Sequence, residues 1–83
     1  MTILYFAWLR DRIGTGEEQL DVPENVTTVG QLADWLAGLS DRHAHAFEDR
    51  ESIRIAVDQE FAEADDSIAG ASEVAFFPPM TGG

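Results

Sequence analysis

Eighty-three residues make one domain, and a chain of this size buries only about 60% of the surface its unfolded form exposes. There is no cysteine, which excludes disulfides, thiolate metal sites and cysteine nucleophiles. Sixteen acidic residues against five arginines and no lysine give a net charge of −11, so phosphate backbones are repelled and a basic protein partner is favoured over nucleic acid. The opening MTILYFAWLR has neither the basic start nor the cleavage site of a secretory signal, and no apolar run nears the roughly 20 residues of a membrane span. No membrane partner is expected, and the expected compartment is the cytoplasm. Without lysine, the chain offers no side-chain amine for conjugation.

In chain order, residues 2–9 are apolar on both alternating faces. Ile3, Tyr5, Ala7 and Leu9 fall on one side, and Leu4, Phe6 and Trp8 on the other, as in an interior strand covered on both sides. Arg10-Asp11-Arg12 is expected to end it, and Gly14-Thr15-Gly16 to turn the chain. Glu17–Val22 reads as a returning strand closed by Pro23, with Leu20 and Val22 inward. Thr28 and Gln31 have capping-box spacing, and Val29, Leu32, Leu36 and Leu39 make one apolar helical stripe. Gly30 within it implies close packing against a neighbour. A short helical turn is expected around Ala44–Asp49. Ile53, Ile55 and Val57 alternate as a strand, Asp58-Gln59 is a tight turn, Glu60–Ala62 returns, and Ser72–Phe77 is the last strand.

The order β-β-α-β-β-β, with apolar first and last strands, predicts an α+β domain of β-grasp type. One main helix then crosses a mixed sheet over residues 1–77. A ferredoxin-like domain is the alternative, but it needs two strong helices. Candidate chemistry inside this domain is sparse. His43 and His45 have neither the helical spacing of a metal pair nor a zinc pattern, so both are expected on the surface and no metal is expected. Asp65-Asp66, and Asp49 with Glu51, read as solvated loops in so acidic a chain.

The sequence ends FFPPMTGG. Two final glycines arise by chance in about 0.5% of chains, and a frayed end is the bland reading. Pro78 and Pro79, however, cannot continue a sheet ladder and hold the backbone extended. Residues 78–83 then form an extended, flexible tail that spans roughly 20 Å. Gly82 and Gly83 have no Cβ and pass a channel too narrow for other residues. A carboxylate on such an arm can enter another protein's active site.

FFPPMTGG after a final strand resembles the MoaD-type sulfur carriers, the small subunits of molybdopterin synthase in the ubiquitin-like β-grasp group. YFAWLRD, TVGQLADWL, AVDQEF and DSIAGASEVAFFPP resemble that family's opening strand, helix, middle hairpin and last strand. Met80, Asp58 and Trp8 depart from the usual residues there. The resemblance implies no cofactor on this chain. A separate activating enzyme would use ATP to adenylate the Gly83 carboxylate, and a sulfur donor would convert it to a thiocarboxylate. That sulfur would pass to a cyclic pyranopterin precursor (precursor Z), building the dithiolene of molybdopterin for molybdenum cofactor biosynthesis. The large synthase subunit would supply the catalytic pocket, in a heterotetramer of two small and two large subunits, so this chain alone would be no enzyme. Thr81 and Gly82 would thread the channel. Phe76, Phe77, Pro78, Pro79 and Met80 would anchor the tail's base against partners. Phe6, Trp8 and Phe77 are expected to form an apolar patch on the sheet face away from the helix, with core packing as the alternative for Trp8. Rival readings are a carrier for thiamin, cysteine or tRNA thiolation, a lysine-conjugating modifier, and an interaction domain with an inert tail.

Overall fold

The computed structural model describes residues 1–79. Strand β1 is Thr2–Tyr5, shorter than the expected 2–9, with Ile3 and Tyr5 buried and Leu4 half-buried. The difference begins at Ala7. Its φ of 54° and ψ of −130° leave the strand region for one that any Cβ disfavours. The Leu9 amide donates to the Phe6 carbonyl at 3.2 Å and closes the turn. Trp8–Ile13 then run as helix α1, whose buried stripe is Leu9 and Ile13, one helical turn apart. Arg10-Asp11-Arg12 are therefore helical. Gly14 caps α1 at φ 97°, a left-handed conformation suited to glycine, and donates to the Arg10 carbonyl at 2.8 Å.

Strand β2, Glu17–Gln19, stops short of the expected Val22, although Leu20 and Val22 still lean on the core. Helix α2, Val29–Ala37, starts with the capping box expected of it. The Thr28 hydroxyl accepts from the Gln31 amide at 3.2 Å, and the Gln31 side chain accepts from the Thr28 amide at 3.3 Å. Val29, Leu32 and Leu36 are buried, but Leu39 lies past the helix end and is exposed. Gly30 sits where a Cβ would lie 3.1 Å from the Ala64 carbonyl oxygen, to which its amide donates at 2.8 Å. The close approach inferred from its small size is real. Helix α3, Asp41–Ala46, begins earlier than the expected 44–49 turn because the Ser40 hydroxyl caps it, accepting from the His43 amide at 3.1 Å. A 3₁₀ turn, Arg50–Ser52, precedes β3, Arg54–Val57. Asp58 and Gln59, both left-handed at φ 48° and 71°, turn the chain into β4, Glu60–Ala62. The Asp58 carboxylate also accepts from the Ser72 and Glu73 amides at 2.9 and 3.0 Å, fixing the hairpin to the start of β5, Glu73–Phe77.

The sheet order is β2-β1-β5-β3-β4, with β1 parallel to β5 and all other neighbours antiparallel. This is the expected β-grasp arrangement, with first and last strands side by side at the centre. Among the described residues α2 is the main helix of the sheet, and the shorter α1 and α3 accompany it. Leu32, Leu36 and Ala46 from α2 and α3 pack over the face carrying Ile3, Tyr5, Val74 and Phe76. No helix among the described residues is long and apolar enough to cross a membrane.

A buried polar chain crosses this core edge, and it corrects the placement of one histidine. His43 is only 8% exposed, whereas His45 is exposed as expected. The Glu18 carboxylate on β2 accepts from the Tyr5 hydroxyl at 2.8 Å and lies 2.7 Å from His43 Nε2, while His43 Nδ1 lies 2.7 Å from the Ser40 hydroxyl. A carboxylate only accepts, so Nε2 carries the proton toward it. Ser40 at the start of α3 holds the ring in register, which spacing between the two histidines cannot reveal. Burial, and next the Glu18 carboxylate, push the Tyr5 phenol well above its ordinary value of 10.0. Above that pH the unfolded chain sheds a proton the folded chain keeps. Stability is therefore intact below pH 10 and falls above it by up to about 1.4 kcal/mol per pH unit. Tyr5 is the chain's single tyrosine. Its ultraviolet titration is expected to show no phenolate until the protein unfolds, and Tyr5→Phe to flatten the alkaline slope. A phenol titrating normally in the folded protein would contradict the network.

Candidate functional site

The face of the sheet opposite the helices carries the candidate site. Cross-strand register builds it in rows. Leu4 on β1 sits opposite Ala75 on β5, Ala75 opposite Ala56 on β3, and Ala56 opposite Phe61 on β4. The two alanines make a low floor between larger side chains. Leu4, Phe6, Ala7, Gln59, Glu73, Phe77, Pro78 and Pro79 complete a shallow, mostly apolar groove with them. Phe6 is 49% exposed and Phe61 84% exposed. Phe77 lines the groove, and Phe61 lies beside it with ring centroids 6.0 Å apart. A contiguous apolar face on an acidic monomer is unusual unless something covers it. Here it adjoins the prolines from which the tail departs.

Backbone constraints hold this geometry. The Phe6 amide donates to the Phe76 carbonyl at 3.1 Å, one step past the last β1–β5 pair, so the Phe6 side chain is delivered to the groove at the exit of β5. Pro78 then has no N–H to continue the ladder. Arg54 pairs across from Phe77 and places one positive charge at that end.

The predicted site residues divide accordingly. Phe6, Phe77, Pro78 and Pro79 come together on the groove. Phe76 does not. It is 0% exposed, packed between Tyr5 at 6.4 Å and Phe47 at 5.0 Å, so it serves the core rather than a partner surface. Period-2 alternation separates Phe76 from Phe77, and only one of the two can face outward. Trp8 is also displaced. It opens α1, leans on the core, and lies under the Arg12 guanidinium at 4.7 Å. The turn at Ala7 removes it from the patch. Met80, Thr81, Gly82 and Gly83 lie outside the described residues. Leu4, Ala56, Phe61 and Ala75 line or flank the groove and were not singled out as site residues. Their signal was the apolar second face of β1, β3, β4 and β5.

Comparison with known proteins follows the same outline. The ThiS family model matches residues 3–83, from β1 to the last glycine. The chain belongs to the ThiS family. Within reach of this family member are two bacterial relatives, each named molybdopterin synthase sulfur carrier subunit. The Escherichia coli (strain K12) protein is 40% identical over 98% of this chain and 96% of its own length. The Haemophilus influenzae protein is 31% identical over 100% of this chain and 99% of its own. Among solved structures, the H. volcanii small archaeal modifier protein 1 superposes with a TM-score of 0.75 at 29% identity, covering 96% of this chain and 97% of that one. A ThiS-family β-grasp domain is thus what the chain shares with its relatives.

Proposed function

We propose that this chain is the sulfur-carrier subunit of a molybdopterin synthase. The observation that carries the reading is end-to-end likeness, at 40% identity, to a protein of that name. The groove beside Pro78 and Pro79 supports it, since a carrier needs a docking face next to its reactive arm. In this reading Gly83 is the working residue. Its carboxylate attacks the α-phosphate of ATP on an activating enzyme, pyrophosphate leaves, and an acyl-adenylate forms. A sulfide equivalent from a sulfur donor then attacks the acyl carbon and expels AMP, leaving a thiocarboxylate. Adenylation makes a poor electrophile reactive and splits one hard step into two. The loaded tail enters the large subunit with Thr81 and Gly82 in the narrowest part, and gives its sulfur to the pyranopterin precursor. ATP is used by the activating enzyme, and the large subunit supplies the pocket in an assembly of two small and two large subunits.

The test is the intact mass of the chain purified from cells with the pathway active. A species heavier by the difference between one sulfur and one oxygen atom is expected at Gly83. It should react with a thiocarboxylate-selective reagent, which separates it from oxidised Met80, and vanish when Gly83 is deleted. An unmodified mass even after incubation with activating enzyme, ATP and a sulfur donor would overturn the reading. The likeness to a small archaeal modifier favours a second reading, in which Gly83 is joined to lysines of other proteins. Isopeptide-linked adducts in place of free thiocarboxylate would select it.

A further inference from the structure

Burial of apolar surface carries no direction, so a purely apolar groove accepts a partner in either of two opposed seatings. The groove beside Phe77 differs, because its two ends carry opposite charges. We infer that it takes a partner segment with an apolar middle, a cationic end over Glu73 and Asp58 and an anionic end at Arg54, and that this polarity fixes which way the partner lies against the exit of β5. The inference rests on the carrier reading, whose large subunit is the partner meant.

Register assigns the charges to one face. Cross-strand neighbours share a face, and alternate residues along a strand return to it. Leu4, Ala75 and Ala56 form one row of that face. Two residues back along β5, Glu73 returns to it, half-buried and lining the groove. The Asp58 amide donates to the Glu73 carbonyl at 3.0 Å, and the Asp58 carboxylate accepts from the Glu73 amide at 3.0 Å. A second carboxylate is thereby held at the same end. Two residues forward from Ala75, Phe77 stands at the other end, with Arg54 as its cross-strand neighbour on β3. Four residue steps separate Glu73 from Phe77, so the two ends lie roughly 13 Å apart.

The positive end is positioned without being neutralised. Arg54 is exposed, and its Nη1 donates to the Glu51 carbonyl at 3.0 Å, which leaves the other guanidinium N–H groups for a ligand. Among the described residues, none of Arg54, Glu73 and Asp58 forms a salt bridge. A guanidinium is matched by a carboxylate, so the anionic end of the partner is an Asp or Glu side chain. The two carboxylates at the other end call for Lys or Arg, and the net charge of −11 steers that basic end inward.

In the carrier reading, only one seating brings Pro78 and Pro79, where the chain leaves β5, toward the partner's pocket. The reversed seating would set Arg54 against the partner's cation, and Glu73 and Asp58 against its anion. Like charges facing across an interface exclude that arrangement while the apolar contacts alone would allow it.

The experiment is titration calorimetry of the full chain and its charge variants against the proposed large subunit, with a melting curve for each variant alone. Arg54→Glu and Glu73→Lys are each expected to raise Kd at least about tenfold and to leave the melting temperature in place. Arg54→Lys keeps the charge and is expected to bind at least about threefold more tightly than Arg54→Glu. Glu73→Gln, which only removes a charge, replaces Glu73→Lys should the lysine perturb folding, with an expected loss of about threefold. Unchanged Kd in both reversals would overturn the inference, and loss at one end alone would overturn the two-ended polarity. Equal weakening by Arg54→Lys and Arg54→Glu would remove charge as the cause. Self-association of the chain alone, abolished by Arg54→Glu, would give the groove to a second copy and overturn the assignment. No binding by the natural chain would sink the carrier reading and this inference with it, whereas binding that ignores both charges sinks this inference alone.

Discussion

Phe76→Ala is expected to destabilise the domain by about 3–5 kcal/mol, enough to leave much of a small protein unfolded at physiological temperature. Phe76 is fully buried on the central strand, between Tyr5 on β1 and Ile55 on β3 in the ladder, with Phe47 edge-on to its ring at 5.0 Å. No neighbouring side chain is free to fill the space. Tyr5 is held by its hydrogen bond to Glu18, Phe47 is 2% exposed after α3, and the backbone on both sides is paired. The cavity therefore stays open, and its cost adds to the lost transfer energy. Chemical denaturation followed by Trp fluorescence measures this directly. A loss under about 1 kcal/mol would mean that the core collapses around the vacancy and that the ring is not pinned as described.

How much of this was legible in the sequence depends on where period and chirality agree. Helix α2 was readable because Thr28, Gln31 and the Val29–Leu32–Leu36 stripe gave the same answer. The β5 strand was readable because its alternation is short and clean. Helix α1 was not. Leu4, Phe6 and Trp8 alternate with Ile3, Tyr5 and Ala7 as a strand does, and the helical pair Leu9 and Ile13 is too short to outvote them. The deciding event is a positive φ at Ala7, a residue with no turn signature. Phe6 and Phe77 read as an apolar patch on the face away from the helix, whereas Leu4 read only as part of a strand covered on both sides, because an uncovered apolar face and a buried one look identical in sequence. The buried network of Tyr5, Glu18 and His43 joins residues far apart in the chain, so no local spacing announces it. The tail was read from its prolines and glycines alone, and Met80–Gly83 lie outside the described residues.

Phe77→Asp is the converse substitution, one residue along and on the other face. It is expected to leave stability within about 1 kcal/mol while weakening binding to the proposed large subunit by about 2–4 kcal/mol, or roughly 30- to 1,000-fold in Kd. Three observations set these magnitudes. Phe77 lines the groove and lies 6.0 Å from Phe61, so its replacement removes aromatic area from the apolar face. A carboxylate there would be desolvated by any apolar partner seated on the groove, with a large penalty. In the free protein it would instead lie in water opposite Arg54, and the monomer should tolerate it. Titration calorimetry against the large subunit, paired with a melting curve of the variant alone, separates the two effects. Equal affinity with an intact fold would show that the partner does not sit on this face. Parallel loss of both would place Phe77 in the core with Phe76. Only the split outcome fits a strand whose adjacent phenylalanines serve different masters, one closing the domain and the other left open for a second protein.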